Sequence, residues 1–260
     1  MNIIVCIKQV PDVTEVKWDE NGSLIRTGLP SIINPNDKHA LEAALALKDV
    51  HGGTITVISM GPPQVEESLR EALGMGCDRA ILLTDRKFGG ADCWATAYTL
   101  GLAIRKIGSF DMVITGVEAM DGNTAQVGPE IADFLKLPLC SYALDIRCEG
   151  DKVFVLQNMG DMVRELEAPL PCLITAEKEL NEPRVAPMDM LMEAYAKEIE
   201  IWGMDVLDGD PANFGLKGSP TRLRKVFSPK RIKGKVEILE GDPAESARKL
   251  VEKFKEHNFI

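Results

Sequence analysis

The segment Gly116-Val117-Glu118-Ala119-Met120-Asp121-Gly122-Asn123-Thr124-Ala125-Gln126-Val127-Gly128-Pro129 holds residue types that bind anions without a catalytic side chain. Pro129 lacks an N–H and fits among the free donors of a helix's first turn, which puts a helix start near Ala125 or Gln126. Amides around Asn123 to Val127 then face outward, and the helix dipole favours negative charge there. Gly122 and Ala125 let a phosphate approach the backbone, and Thr124 adds a hydroxyl donor. An ordinary capped connection between a strand and a helix has the same pattern, so the residues leave both readings open.

A second segment, Asp85-Arg86-Lys87-Phe88-Gly89-Gly90-Ala91-Asp92, offers small residues that allow a flat ligand or a phosphate close to the main chain. Asp92 is placed to cap the helix that follows, and a plain loop with an N-cap is the alternative. Gly74-Met75-Gly76 begins like a dinucleotide fingerprint but lacks the third glycine. It also follows a helix and precedes a strand, so it reads as a helix C-terminus with a left-handed glycine. No P-loop, Ser–His–Asp or Cys–His arrangement, or glycosidase carboxylate pair is apparent. The six cysteines fit neither zinc nor iron–sulfur spacing and read as reduced core residues, and His39, His51 and His257 are scattered. The chemistry on offer is binding rather than bond-breaking, and no metal is expected.

These segments need a scaffold, and the hydrophobic pattern supplies one. Ile3 to Ile7 is a continuous apolar run, the mark of a strand buried on both faces. Asn34-Pro35 opens a helix with Leu41, Ala44, Leu45 and Lys48 on one stripe, ended by Gly52-Gly53. Thr54 to Met60, Arg79 to Thr84 and Asp111 to Thr115 read as further strands. Between them, Val65, Leu69, Ala72 and Leu73 mark one helix, and Leu100, Ile104 and Ile107 another. Val127, Ile131, Phe134 and Leu135 mark a fourth. Such alternation predicts an α/β fold with a doubly wound, mainly parallel sheet. Its ligands bind beyond the strand C-termini where the strand order reverses. Tyr142 to Arg147, Lys152 to Asn158 and Met162 to Glu167 predict a short antiparallel addition, followed by a strand over Cys172 to Ala176. Leu180 to Arg231 is broken by Pro and Gly, with one helix expected around Asp189 to Tyr195. Its apolar residues, such as Trp202, Phe214 and Val226, call for a partner surface. Asp242-Pro243-Ala244-Glu245 caps a last helix with Ala247, Leu250, Val251 and Phe254 on one face.

With 45 % hydrophobic and 27 % charged residues the composition is globular, and the formal net charge of −10 argues against a nucleic-acid partner. The basic run Arg222 to Lys235 reads as a solvated or partner-facing surface. The N-terminal apolar run is too short for a signal peptide, and no stretch approaches the roughly 18 apolar residues of a membrane span. A soluble, cytoplasmic protein is expected.

Taken together, VCIKQVPD, INPNDKHALEAAL, VISMGPP, ALGMGCDRAILL, GVEAMDGNTAQVGPEIA and LNEPR, in this order, resemble the electron-transfer flavoprotein beta subunit family. The resemblance implies an adenine-nucleotide-binding Rossmann-like domain over 1–178, a dehydrogenase recognition loop and helix over 179–204, and a C-terminal arm and helix over 205–260 that packs on an alpha subunit. It implies an electron-carrier subunit of a heterodimer, with FAD at the beta site in bifurcating members and AMP in simple ones. Carried over by position, the nucleotide site comprises Cys6, Asn34, Pro35, Asn36, Asp37, Met60, Gly116, Asp121, Gly122, Asn123, Thr124, Ala125, Gln126 and Val127. DRKFGGADCWATAYTL and GLKGSPTRLRKVFSPKR resemble the bifurcating type, which adds Phe88, Gly90, Ala91, Asp92 and Thr96 to the site. In that type NADH is the electron donor, and ferredoxin or flavodoxin and a flavin dehydrogenase of acyl-CoA or lactate dehydrogenase kind are the acceptors. Pro187, Met188 and Leu191 fall in the docking segment Val185 to Met192. The residues alone also allow this Met-rich run to be a helix face packed on the chain's own core.

Overall fold

A computed structural model of the protein describes all residues except 13–16, 19–23, 26–29 and 223–235. It divides into two compact units, Met1–Arg222 and Leu223–Ile260. In chain order the first unit contains β1 Asn2–Cys6, β2 Gln9–Pro11, β3 Lys17–Trp18, β4 Leu24–Ile25, β5 Ser31–Ile33 and α1 Pro35–His51. Next come β6 Thr54–Met60, α2 Glu66–Met75, β7 Arg79–Leu83, α3 Cys93–Ile107, β8 Met112–Gly116 and α4 Val127–Leu135. It ends with β9 Leu139–Glu149, β10 Lys152–Asn158, β11 Val163–Pro169, β12 Cys172–Ala176, α5 Met188–Ala196, β13 Ile199–Trp202 and the single turn α6 Gly215–Gly218.

Nine strands form one sheet in the order β11-β10-β9-β12-β8-β1-β6-β7-β13. Every pairing from β9 across to β13 is parallel, and β10 pairs antiparallel with both β9 and β11. The expected doubly wound sheet with a short antiparallel addition is therefore present. Alternation within β1 feeds two cores: Ile3 and Val5 pack with α1 and α2 residues, Ile4 and Cys6 with α3 and α4 residues. β8 and β12 are buried along their whole length, because helices cover both faces of the parallel region.

The long tail departs from expectation. Ile199–Trp202 forms an edge strand parallel to β7, and Trp202, Leu207 and Phe214 are buried against the α3 face of the same unit. The need for a partner surface that Trp202 and Phe214 implied is thus met within the chain, while Val226 lies outside the described residues. β9 is longer than its expected core at Tyr142 to Arg147. Its first residues run parallel to β12, Tyr142 at φ 55° marks a register shift, Ala143 pairs with both β12 and β10, and the residues after it pair with β10.

The second unit carries α7 Pro243–Glu256, whose N-cap Asp242 accepts a 2.8 Å hydrogen bond from the Glu245 amide, as the capping pattern predicts. The basic run beyond Arg222 lies outside the described residues.

One side chain fixes the geometry of the strand ends. Asp37, in the first turn of α1, is 6 % exposed. Its Oδ2 accepts from the Lys8 amide beyond β1 at 2.7 Å, and its Oδ1 from the Gly116 amide at the end of β8 at 3.1 Å. Burial raises its carboxyl to about 7, against the pull of these amides and of Asn34, which favour the ionised form. Asp37→Asn leaves one of the two amides facing a donor, so urea unfolding at pH 5 should show a loss of about 1–3 kcal/mol. Asp37 also sets a pH slope. A carboxyl raised in the folded state favours folding below its unfolded value of about 4 and loses that advantage as pH rises through about 7. The stability difference between the two proteins should therefore narrow from pH 4 to pH 8.

Candidate nucleotide site

The strand order reverses at β1, where the chain leaves to β6 and β7 on one side and returns to β8 and β12 on the other. Such a switch point opens a crevice at the carboxyl ends of the strands. A cavity of about 370 Å³ lies there, within the range of small-ligand sites. Cys6, Asp37, Met60, Phe88, Gly90, Ala91, Asp92, Thr96, Gly116, Gly122, Thr124, Ala125 and Val127 line it, so the structure brings thirteen of the nineteen carried-over positions together.

The other six stand outside the lining. Asn34 occupies the N-cap position of α1, but its side chain does not cap. Its Nδ2 donates to the Glu118 carbonyl at 2.8 Å and its Oδ1 accepts from the Met120 amide at 3.0 Å. Asn36 donates to the same carbonyl at 3.1 Å. Both asparagines shape the Gly116 loop from behind, and Pro35 starts the helix that carries them. Asp121 pairs with Lys8 at 2.7 Å, Asn123 sits in the turn, and Gln126 is the N-cap of α4.

The cradle itself is strained. Asn123 and Ala125 adopt left-handed backbone, at φ 47° and 52°. Asn tolerates this conformation, but Ala does so only where the surroundings impose it. The turn delays α4 to Val127, one or two residues later than the position of Pro129 suggests. It also leaves the amides of Thr124, Ala125 and Gln126 without a protein acceptor among the described residues. A Cβ added at Gly122 would meet nothing within 4 Å, so the space in front of the turn is open. Unpaired amides at a helix start, a hydroxyl at Thr124 and open space are the donor set for a phosphate.

The facing wall is the Asp85 loop. Phe88 is buried behind it, against Phe214 at a ring-centroid distance of 5.5 Å. Gly90, at φ 74°, exposes its backbone beside Ala91. Asp92 caps α3 through the Ala95 amide at 3.1 Å, as its position suggests, and its second oxygen accepts from the Thr221 amide and hydroxyl at 2.9 and 2.8 Å. Burial opposes ionisation of this carboxyl, but those donors outweigh it and hold it below the usual range. The Cys93 thiol meets the Thr124 hydroxyl at 3.3 Å across the crevice. Burial pushes the Cys6 thiol far up, and Asp37 adds to the shift, so Cys6 is an apolar wall and not a nucleophile. With Leu100 and Val127 the lining is apolar around a polar rim, which fits a nucleotide. Cys93 was missed in the sequence, and Lys8, which follows the first strand where this fold class binds its ligands, was not among the carried-over positions although it stands two residues from Cys6 in the VCIKQVPD run.

A separate surface follows β12. Asn181 and His39 bond each other at 3.0 Å, and Arg184 holds Glu42 and Asp49 of α1, both at 2.8 Å. LNEPR is therefore a clamp on α1. Beyond it, Pro187 starts α5, Met188 is 73 % exposed and Met192 70 % exposed, while Leu191 turns inward onto Gly74 of α2. The Met-rich run thus has one face on its own core and one in solvent.

No helix among the described residues is long and apolar enough to cross a membrane. The electron transfer flavoprotein domain family matches residues 21–206. An electron transfer flavoprotein subunit beta of Clostridium acetobutylicum is 49 % identical over the full length of both chains. Subunit CarD of the caffeyl-CoA reductase–Etf complex of Acetobacterium woodii is 48 % identical, also over the whole of both. A FixA protein of Azorhizobium caulinodans is 46 % identical over 88 % of this chain and 85 % of its own. Family match and full-length identity agree: the chain belongs to the electron transfer flavoprotein family, as a beta subunit, the kind that pairs with an alpha subunit to carry electrons.

Proposed function

We propose that the chain is the beta subunit of an electron-bifurcating flavoprotein, with FAD in the crevice and NADH as electron donor. The observation that carries this reading is the union of two surfaces in one cavity. The cradle at Thr124 to Gln126 suits a pyrophosphate, and the shelf at Phe88, Gly90 and Ala91 suits a flat ring system. A flavin bound there supplies acceptance of an electron pair from NADH and its release one electron at a time, toward the alpha-subunit flavin and toward ferredoxin or flavodoxin. The chain's own residues bind and orient. Amides at the start of α4 hold phosphate, Asp92 fixes the shelf to α3, and Met60, Leu100 and Val127 keep water from the walls. The name of the CarD relative, a subunit of a reductase–Etf complex, supports an acyl-CoA-type dehydrogenase as the docking partner. A simple electron carrier with structural AMP is the second reading, favoured by a cavity of about 370 Å³, a volume suited to a mononucleotide.

Ala91→Trp fills the shelf and leaves the cradle intact. Released flavin should fall from two per heterodimer to one and NADH oxidation should stop, while the alpha flavin still accepts electrons from a reduced dehydrogenase. Release of one FAD and one AMP by the unmutated heterodimer, after reconstitution with excess FAD, would establish the simple carrier instead.

The solvent face of α5 is the proposed dehydrogenase contact. Burying the Met188 side chain in a socket is worth roughly 1.5–3 kcal/mol. Met188→Ala should therefore weaken electron transfer at limiting dehydrogenase by about ten-fold with bound nucleotide unchanged. Equal second-order rate constants for the two proteins would remove Met188 from the contact.

A further inference from the structure

Lys8 is the one cationic side chain lining the crevice among the described residues, and Asp92 and Glu118 line it as acidic groups beside Asp37, whose carboxyl burial raises to about 7. A phosphate-bearing ligand therefore enters a predominantly acidic wall in a chain of net charge −10. The main chain of Lys8 is clamped at both ends. Its amide donates to Asp37 at 2.7 Å, and its carbonyl accepts from the Asn34 amide at 2.8 Å. The side chain thus starts from a fixed point at the end of β1 and reaches across to the cradle loop. There its ammonium meets both oxygens of Asp121 at 2.7 Å.

Two features make this pairing exchangeable. Lys8 and Asp121 remain 48 % and 38 % exposed in the pair, so solvent screens their attraction and separation costs little. Asp121 also lies in the turn held by the Asn123 and Gly122 amides on the Ala119 carbonyl, which keeps its shape without the ion pair. A phosphate carries more charge than a carboxylate and presents several acceptor oxygens, so it competes well for one ammonium.

We propose that Lys8 is a phosphate-binding residue of the crevice, held by Asp121 until a nucleotide phosphate takes Asp121's place as its partner. Asp121 is then a competitor of the ligand rather than a support for it. The inference rests on the nucleotide reading of the crevice and adds the residue that selects for phosphate. It also makes the two halves of one ion pair act in opposite directions on affinity.

Equilibrium binding of AMP, adenosine and FAD to the heterodimer, freed of its bound nucleotide, tests this. Lys8→Gln should raise the Kd for AMP by about ten-fold and leave that for adenosine unchanged, since only AMP has the phosphate. Asp121→Asn should lower the Kd for AMP by about three-fold, and Lys8→Arg should restore most of the affinity. FAD should follow AMP if its pyrophosphate occupies the same place, whereas a response confined to AMP would limit the role of Lys8 to a terminal phosphate. If Lys8→Gln and Asp121→Asn weaken AMP and adenosine alike, the pair is a structural latch and the proposal is wrong. An unchanged AMP affinity in Lys8→Gln overturns it too. If the unmutated protein binds neither AMP, adenosine nor FAD, the nucleotide reading of the crevice falls, and the proposal with it.

Discussion

The carboxylate of Asp37 holds together the two strands between which the crevice opens. The ladder runs one residue past each of these strands, with the Ile7 amide on the Ile58 carbonyl and the Val117 amide on the Ala176 carbonyl. Here the amides of Lys8 and Gly116 both find the same buried acceptor on α1. An added Cβ at Gly116 would lie 2.4 Å from Asp37 Oδ1, so the glycine is required for this approach. The loop that follows Gly116 is then shaped by Asn34 and Asn36 from the same helix turn. One short stretch, Asn34 to Asp37, thereby sets the position of the cradle although only Asp37 touches the cavity.

The cost of this arrangement appears at two places. Burial of an unpaired carboxylate raises Asp37 well above its ordinary range. Ala125 is held in a backbone region that a Cβ disfavours. Asp37 fixes the point where the loop leaves β8, and the strained turn further along leaves three amides without a protein acceptor among the described residues. The helix start, the strained turn and the buried acceptor form one unit that presents donors in advance of a ligand.

The alternation of strands and helices was legible because each buried parallel strand is a continuous apolar run and each helix has one stripe. Caps at Asp92 and Asp242 and the glycine stop at Gly76 were also legible, since local side-chain chemistry decides them. β13 was not. Its four residues alternate Ile199 and Ile201 with Glu200, too short a run to stand out in a segment rich in Pro and Gly. Its existence depends on the free edge of β7, which is a fact of tertiary structure. The crevice was legible as loops but not as a division of labour. Nothing in the spacing of Asn34, Asn36 and Asp121 separates a residue that faces the ligand from one that braces the loop. Leu191 and Met188 were likewise grouped by helical period, and only the contact with Gly74 tells the inward residue from the outward one.

The clamp of Arg184 on Glu42 and Asp49 has a kinetic meaning. Exposed methionines on a loose segment would have to be ordered at the moment of contact, and the conformational entropy of that ordering would be charged to the complex. Here the segment leading to α5 is tied to α1 by a guanidinium with two carboxylates, and α5 itself is seated on α2 through Leu191 and Ala194. Side chains such as Met188 and Met192 keep their own rotamer freedom while the backbone beneath them is fixed. Any partner that lands on this face meets a rigid platform with a compliant skin, and the encounter is limited by orientation rather than by folding. Such a surface suits brief, repeated visits, in which fast release matters as much as recognition.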